Sequence, residues 1–551
     1  MSQLLEEIIQ EAKKYVQKGR VMPISMAGYE AYLSSGNRLI FEEEYFQRRR
    51  ELVVLALAFE YTRDESYLPL LKDTIWSVCN EYSWALPAHL TIENNQYKED
   101  APKIIDLFAA ETGQTLANIY AKSHQYFPTL LNERILHEIN QRITQPFVQK
   151  HWSWEEKENN WSAVIAGSLG MTFLDVIESD EKCQQLITRL NRAFHSYFAS
   201  FGEDGCCEEG VEYWAYGFGY YTYFAAAYAE RFRDTSYLQR EKVQAIAEFP
   251  YYAQLNTKLF VPFSDYNPSE LPNGLLAYLQ KEWGYRVPKI EKMNAIGFDS
   301  CYRYAHLAHD LLWEMPDEQA LTSKIHLFGN KQWLVQVDQV NHYVFSAKGG
   351  RNDESHNHID LGHFVLGTTA QLFLDDLGSG EYTRDYFSEK RYQYFTPSAK
   401  GHSIPIINGY EQLSGAVSSV LHFQQEQQGV TVSMDLESCY PSKTQLKKFH
   451  RQLRSDSSKQ TLLLVDEFTF EKAENEIVEN FITRLCPKVS GEEVILNANQ
   501  QVLTMKFPSA AIEVIPVTYS DHKGNSVRAY RICWRAKLSN QAHIQIEMKQ
   551  N

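Results

Sequence analysis

The densest group of residues able to move protons or bind a cation lies in Arg351-Asn-Asp-Glu-Ser-His-Asn-His-Ile-Asp-Leu-Gly-His363. Later segments add Leu374-Asp-Asp-Leu-Gly378 and Gly401-His402. His356 and His358 stand at i and i+2, a spacing that aims both rings the same way if the segment is a strand. A lone His-x-His is commonly a solvated polar turn. Here Asp375, Asp376 and His402 arrive from later segments, as the nitrogen and oxygen ligands of a metal ion do when neighbouring strands supply them. Arg351, at the mouth of the segment, has the geometry to bind a carboxylate or sulfate.

Two stretches of the N-terminal half carry further candidates. In Glu158-Asn-Asn-Trp-Ser-Ala-Val-Ile-Ala-Gly167, Asn159 or Asn160 precedes an apolar helix. Such an Asn is an N-cap or, used otherwise, an amide donor to a substrate carboxylate. In Asp204-Gly-Cys-Cys-Glu-Glu-Gly-Val-Glu-Tyr-Trp-Ala-Tyr-Gly217, Tyr213, Tyr216, Tyr220 and Tyr223 recur at three and four and share one helix face, the pattern of an aromatic core stripe. Tyr213 differs in lying next to the Gly-rich acidic entry loop.

The elements that must position these residues change character along the chain. From about residue 40 to 315 apolar positions repeat at three and four, as in Leu68, Leu71, Ile75 and Val78 or Leu131, Ile135, Ile139 and Ile143. Breaks are expected at Pro102, Pro128, Pro146 and Gly202 to Gly205, giving about ten helices that pair into a solenoid or toroid. After Pro316 the period becomes two, with Trp333, Val335 and Val337 on one face, then Leu503, Met505 and Phe507, then Ile544, Ile546 and Met548. No helical crossover separates these strands, so the second half is expected to be an antiparallel β-sandwich. The expected organisation is a helical domain over 1–320 and a sandwich over 321–551.

With 54 basic and 70 acidic residues, a net charge of −16, the chain is unsuited to general binding of nucleic acid or anionic membranes. An anionic ligand must therefore find a local basic cleft. The start of the chain reads as a charged amphipathic helix rather than a signal peptide, and eight scattered cysteines without CxxC spacing read as reduced thiols, so a cytoplasmic protein is expected. Aromatic residues make up 13%, with 34 Tyr and 10 Trp, which suits either a Tyr-rich core or surfaces that stack on sugar rings.

Taken in order, Asn160-Trp161, Glu209-Gly-x-x-Tyr213-Trp214, His356-x-His358-x-Asp360, Asp376-x-Gly378 with Tyr382, and Gly401-His402 resemble the heparinase II/III-like polysaccharide lyases, a group related to oligo-alginate lyases. The resemblance implies an incomplete (α/α) toroid followed by an antiparallel β-sandwich, and β-elimination next to a uronic acid. It implies that Asn160 neutralises the uronate carboxylate and Tyr213 is the acid, with His356 an alternative base or carboxylate neutraliser. Trp161, Trp214, Tyr216, Glu209 and Arg351 would contact an acidic, glycosaminoglycan-like oligosaccharide. His358, Asp376 and His402 would hold a structural Zn²⁺, with Asp375 as fallback ligand and no organic cofactor. The competing expectations are an (α/α)-toroid glycoside hydrolase using paired carboxylates such as Asp204, Glu208, Glu209 and Glu212, an oligo-alginate lyase, and a non-catalytic glycan-binding protein. Oligomeric state is left open.

Overall fold

The computed structural model describes residues 2–551 except Ser269, Ser355, Arg384 and Gln428, and, for Glu241, the backbone alone. The chain forms two compact units. One comprises Met1–Phe201, Tyr213–Ala247 and Ser269–Glu318; the other comprises Gly202–Glu212, Glu248–Pro268 and Gln319–Asn551. Two short stretches within the helical half of the sequence thus belong to the sheet-rich unit.

The first unit is helical, apart from a two-residue hairpin pairing Ile92–Glu93 with Gln96–Tyr97. Its helices Leu107–Ser123 and Asn160–Val176 are buried over most of their length and lie in the core. The amphipathic helices Gln3–Lys18 and Asp180–Ala199 bury one stripe each. The expected break at Pro146 does not occur. Helix Thr129–Ile139 passes through a five-residue π-helical turn, Asn140–Thr144, into Gln145–Gln149. Widening the helix there removes the clash between a proline ring and the carbonyl one turn back.

Close packing sets the position of the two helices that carry Asn160 and Tyr213. A Cβ on Gly167 would lie 2.5 Å from the Tyr220 carbonyl oxygen, and one on Gly170 would lie 2.4 Å from the Phe224 ring. Helix Asn160–Val176 therefore lies directly against helix Val211–Phe232. Contacts advance together along both helices, so the two run the same way.

A buried carboxyl gives this unit a pH dependence. Asp310 is fully buried and caps the next helix, Asn273–Trp283, its Oδ1 accepting from Gly274 N at 2.7 Å and its Oδ2 from Asn294 Nδ2 at 3.2 Å. Burial pushes its carboxyl up to about 7, against those bonds. Between the ordinary carboxylate range and pH 7 the folded state thus holds a proton that the unfolded chain has released, and stability falls as pH rises through that window. The expected loss is of order 2–4 kcal/mol. Burial likewise moves Glu111 up to about 7 and adds to the decline. Urea unfolding at several pH values should show that Asp310→Asn flattens part of this slope; an unchanged slope would contradict the assignment.

The second unit is built from three antiparallel sheets. In the eight-stranded sheet the order is Lys488–Ser490, Glu493–Ala498, Gln501–Lys506, Gln541–Gln550, Thr461–Phe470, Leu446–Asp456, Gly429–Asp435 and His422–Gln425. Its strands alternate buried and exposed, as the period of two predicts, with Leu503, Met505, Ile544, Ile546 and Met548 all inside. The five-stranded sheet runs Lys324–Phe328, Trp333–Asp338, Tyr343–Lys348, Phe364–Gly367 and Leu372–Leu374, and here Trp333 to Val337 are buried on both faces. A four-stranded sheet, Ala511–Ser520, Ser526–Leu538, Asn475–Thr483 and Ile406–Ile407, completes the core through Phe481, Ile532 and Trp534.

One charged group lies inside this sandwich. Arg451, fully buried, faces its register partner Asp466 with Nε at 2.9 Å and Nη2 at 2.5 Å, and Nη2 also reaches Glu479 at 3.0 Å. Its Nη1 donates to the carbonyls of Gly362 and Ser403, both at 3.0 Å. Burial, reinforced by Asp466, raises the Glu479 carboxyl well above its ordinary range.

Candidate functional site

The described residues of segment 351–363 form no strand. Apart from an isolated bridge at Arg351 they are bends, turns and irregular backbone preceding strand Phe364–Gly367, and His356 adopts the left-handed conformation with φ +55°. The shared direction of His356 and His358 therefore comes from a partner rather than from strand periodicity. That partner is Asp265, fully buried, whose backbone N–H also donates to the His356 carbonyl at 3.1 Å.

Five side chains converge on the Asp265 carboxylate. Its Oδ2 accepts from His356 Nδ1 at 2.9 Å and Tyr382 Oη at 3.2 Å. Its Oδ1 accepts from His358 Nε2 at 3.0 Å, Tyr386 Oη at 2.8 Å and Arg391 Nη2 at 2.8 Å. Burial alone would raise this acid. The bonds from both histidines and the Arg391 charge overcome it and hold the carboxyl well below the usual range. An ionised carboxylate only accepts, so His356 carries its proton on Nδ1 and His358 carries its proton on Nε2. His356 Nε2 then faces Glu209 Oε1 at 3.5 Å. Burial opposes charge on the His356 ring, but Asp265 and Glu209 leave its pKa raised.

The second face of His358 opens on a group that could hold a metal ion: His358, Asp360, Asp376 and His402, all buried, with one ligand atom each within 4.8 Å of one another. His402 Nδ1 donates to the Ser398 carbonyl at 2.8 Å, which leaves Nε2 as a lone pair. His358 Nδ1 is a lone pair for the reason just given, yet the two nitrogens face each other at 3.1 Å. Two lone pairs at that distance repel unless a proton or a cation lies between them. Asp376 Oδ2, 3.5 Å from His402 Nε2, and Asp360 Oδ1 have no hydrogen-bond partner although buried. Inward lone pairs, orphaned carboxylate oxygens and outer nitrogens donating to acceptors are the features of a prepared metal site. The spacings bracket the separation of about 3.4 Å between ligands of a tetrahedral zinc. The residues present fit such an ion, and Asp360 takes the fourth place that the sequence left open.

Neighbouring contacts fix these ligands. His363 Nδ1 accepts from Ser403 N at 2.9 Å, so its Nε2 carries the hydrogen; it lies 3.4 Å from Asp376 Oδ2 without a hydrogen bond to it and has no lone pair with which to bind a metal. Lys348 Nζ holds the other oxygen of Asp360 at 2.8 Å. Asp376 Oδ1 accepts from Gly378 N at 2.9 Å. Gly378 has φ +67°, and a Cβ there would lie 2.0 Å from the Tyr266 carbonyl, so only glycine lets this turn close against the residue after Asp265. Asp375 is paired with Arg484 and turns away from the group.

In the helical unit, Asn159 takes the capping role, its Oδ1 accepting from Trp161 N at 3.1 Å. Asn160 is the buried first residue of the helix. Asn160 precedes Gly167 by seven residues, and Tyr213 precedes Tyr220 by seven. Since the helices run the same way at that contact, Asn160 and the half-buried Tyr213 lie toward the same end of the pair. Trp161, partly exposed, meets the His89 ring edge-on at 4.9 Å and the Lys157 ammonium at 4.4 Å.

The other expected substrate contacts have different surroundings. Trp214 is fully buried and donates Nε1–H to the Ile246 carbonyl at 2.7 Å, so it packs its helix. Tyr216 is buried, hydrogen-bonded to Glu111, with the Arg303 guanidinium 4.0 Å above its ring. Glu209 is buried beside His356. Arg351 is exposed and forms a bidentate pair with Asp353 at 2.8 and 2.6 Å. Asp265, Tyr386 and Arg391 went unnoticed in the sequence. The aromatic and basic run from Tyr382 to Tyr394 was a usable signal for the last two, whereas Asp265 in Phe263-Ser-Asp-Tyr-Asn-Pro268 carries none.

Among the described residues no helix is long and apolar enough to cross a membrane. No family model and no curated protein matches the chain. Solved structures do. The heparan sulfate lyase HepC from Pedobacter heparinus is similar with a TM-score of 0.62 at 13% identity, covering 99% of this chain and 87% of that one. A heparinase III structure gives 0.63 at 14% identity, covering 99% and 91%, and a second heparinase III gives 0.63 at 13%, covering 99% and 90%. The chain thus has the heparinase III fold, a helical toroid followed by an antiparallel β-sandwich, over nearly its whole length.

Proposed function

We propose that this protein is a polysaccharide lyase that cleaves uronic-acid-containing, glycosaminoglycan-like glycans by β-elimination. The observation that carries the reading is His356, held through Nδ1 by a buried carboxylate with Nε2 facing Glu209, beside a prepared metal group, in a fold shared with heparan sulfate lyases.

In this reaction the C5 proton leaves, its electron pair forms the C4–C5 double bond, and the C4–O bond breaks with its pair on the departing oxygen. The C5 proton is weakly acidic while the adjacent carboxylate keeps its charge, so donors aimed at that carboxylate lower the barrier. We assign that task to the Asn160 amide, and assign to the His356 Nε2 lone pair, with Nδ1 committed to Asp265, the role of a base for the C5 proton. Tyr213 supplies the proton to the departing oxygen and, in a syn elimination, first accepts the C5 proton. Trp161 offers an aromatic face to a sugar ring. The ion assigned to His358, Asp360, Asp376 and His402 is Zn²⁺, which when bound supplies charge that fixes the 351–363 loop.

Incubation with heparan-type, chondroitin-type and alginate oligosaccharides, followed by ultraviolet absorbance, tests the reading. A lyase creates a conjugated double bond, a hydrolase only new reducing ends, and a binding protein neither. Tyr213→Phe is expected to lower kcat by about 10²- to 10⁴-fold with KM little changed. Full turnover in that variant would place the acid elsewhere.

A further inference from the structure

We propose that Asp265 is a positioning residue that couples the reactive imidazole to the metal loop, fixing the tautomer of His356 through Oδ2 and orienting His358 through Oδ1. The inference rests on the lyase reading for its kinetic arm alone.

The division of labour follows from which donors meet which oxygen. Oδ2 receives His356 Nδ1 and Tyr382 Oη, and Oδ1 receives His358 Nε2, Tyr386 Oη and Arg391 Nη2. With Nδ1 protonated and committed, His356 can exchange a proton with substrate only at Nε2. With Nε2 of His358 protonated and committed, Nδ1 is left to face His402 Nε2 at 3.1 Å. One carboxylate therefore sets the protonation pattern of two rings whose other faces have different tasks. Its burial, with no exposed surface, keeps water from substituting for either bond. Tyr386 and Arg391 have no other evident reason to converge there: they hold the carboxylate still, and Arg391 also grips the Asn357 carbonyl between the two histidines at 3.1 Å.

Asp265→Asn separates the two tasks. The amide oxygen is expected to remain on the side of Arg391, Tyr386 and His358, since an NH₂ group there would face three donors. The amide nitrogen then faces His356 Nδ1 and drives that ring to its Nε2–H tautomer. A wrong tautomer in a carboxylate-oriented histidine costs about 10⁴-fold in kcat in a serine protease triad, and a fall of about 10³- to 10⁴-fold is expected here.

The test uses the full-length, zinc-loaded protein carrying ¹⁵N-labelled histidine. In the wild type, ring ¹⁵N spectra should show His356 protonated at Nδ1 and His358 at Nε2. In Asp265→Asn, His356 should switch to Nε2–H while zinc, measured against a competing chelator, stays bound, and kcat should collapse with KM little changed. Asp265→Ala should release zinc as well. A wild-type His356 protonated at Nε2 but not at Nδ1, or an Asn variant with wild-type kcat, would overturn the proposal. The wild-type spectrum decides the matter even if neither variant folds. Should the wild type make no unsaturated uronate, the lyase reading fails while the tautomer and zinc measurements still judge Asp265.

Discussion

Removing zinc, or replacing His402 with Ala, is expected to unlatch the segment that carries His356. Without the ion, His358 Nδ1 and His402 Nε2 are left to share a proton across 3.1 Å, and the orphaned oxygens of Asp360 and Asp376 lie beside them. A buried divalent cation satisfies all four at once. At free zinc a hundredfold above its Kd, the folded state gains about 2.7 kcal/mol. For a cooperative unit of this size that is a rise in Tm of about 5–10 °C. Calorimetric scans with and without a chelator measure it directly. His402→Ala should lose most of the zinc-dependent rise in Tm, having lost one of two nitrogen ligands. If added zinc left the wild-type transition unmoved, the group would be a hydrogen-bonded cluster and not a metal site.

A loss of about 3–5 kcal/mol is expected on replacing Arg451 with Met. The cost does not measure the worth of the ion pair; it reflects what the truncation strands. Asp466 would keep a buried charge with its main partner gone, and the carbonyls of Gly362 and Ser403 would lose their donor. Those carbonyls belong to the residues flanking His363 and His402, so weaker zinc binding should accompany the lost stability. Arg451→Met combined with Asp466→Leu should recover much of the loss, because two apolar side chains replace the charge without leaving it unpaired. Guanidinium unfolding of the single and double variants checks this. A single variant within 1 kcal/mol of the wild type would mean that water reaches the triad.

Much of the architecture was legible because each half obeys one period. Leu131, Ile135, Ile139 and Ile143 are all buried along one helical stripe, and Ile544, Ile546 and Met548 along one strand face. The exceptions are local. Pro146 looked like a stop because a proline inside an α-helix is costly, and the π-helical turn before it is a long-range packing outcome that no short window encodes. His356-x-His358 looked like a strand because spacing alone cannot distinguish strand alternation from two rings gathered by one acceptor. The acceptor lies 91 residues away from His356 in sequence, in a segment with no other chemistry-bearing residue. His358, Asp376 and His402 could be picked out as a set through the family resemblance of their motifs, while Asp360, quoted within the same motif, was not given a ligand's role. Trp214 and Tyr216 show the reverse: an aromatic beside a motif is as well suited to filling a core.

The glycines at 167 and 170 restrict how this scaffold can diversify. Backbone meets backbone at the first and an aromatic edge meets backbone at the second, leaving no space in which a larger residue could be accommodated by repacking. Sliding one helix past the other would require both glycines to move in register with Tyr220 and Phe224. Variation along this pair of helices is therefore confined to the connecting segments and to surface positions, while the axial offset between the amide at 160 and the phenol at 213 stays constant.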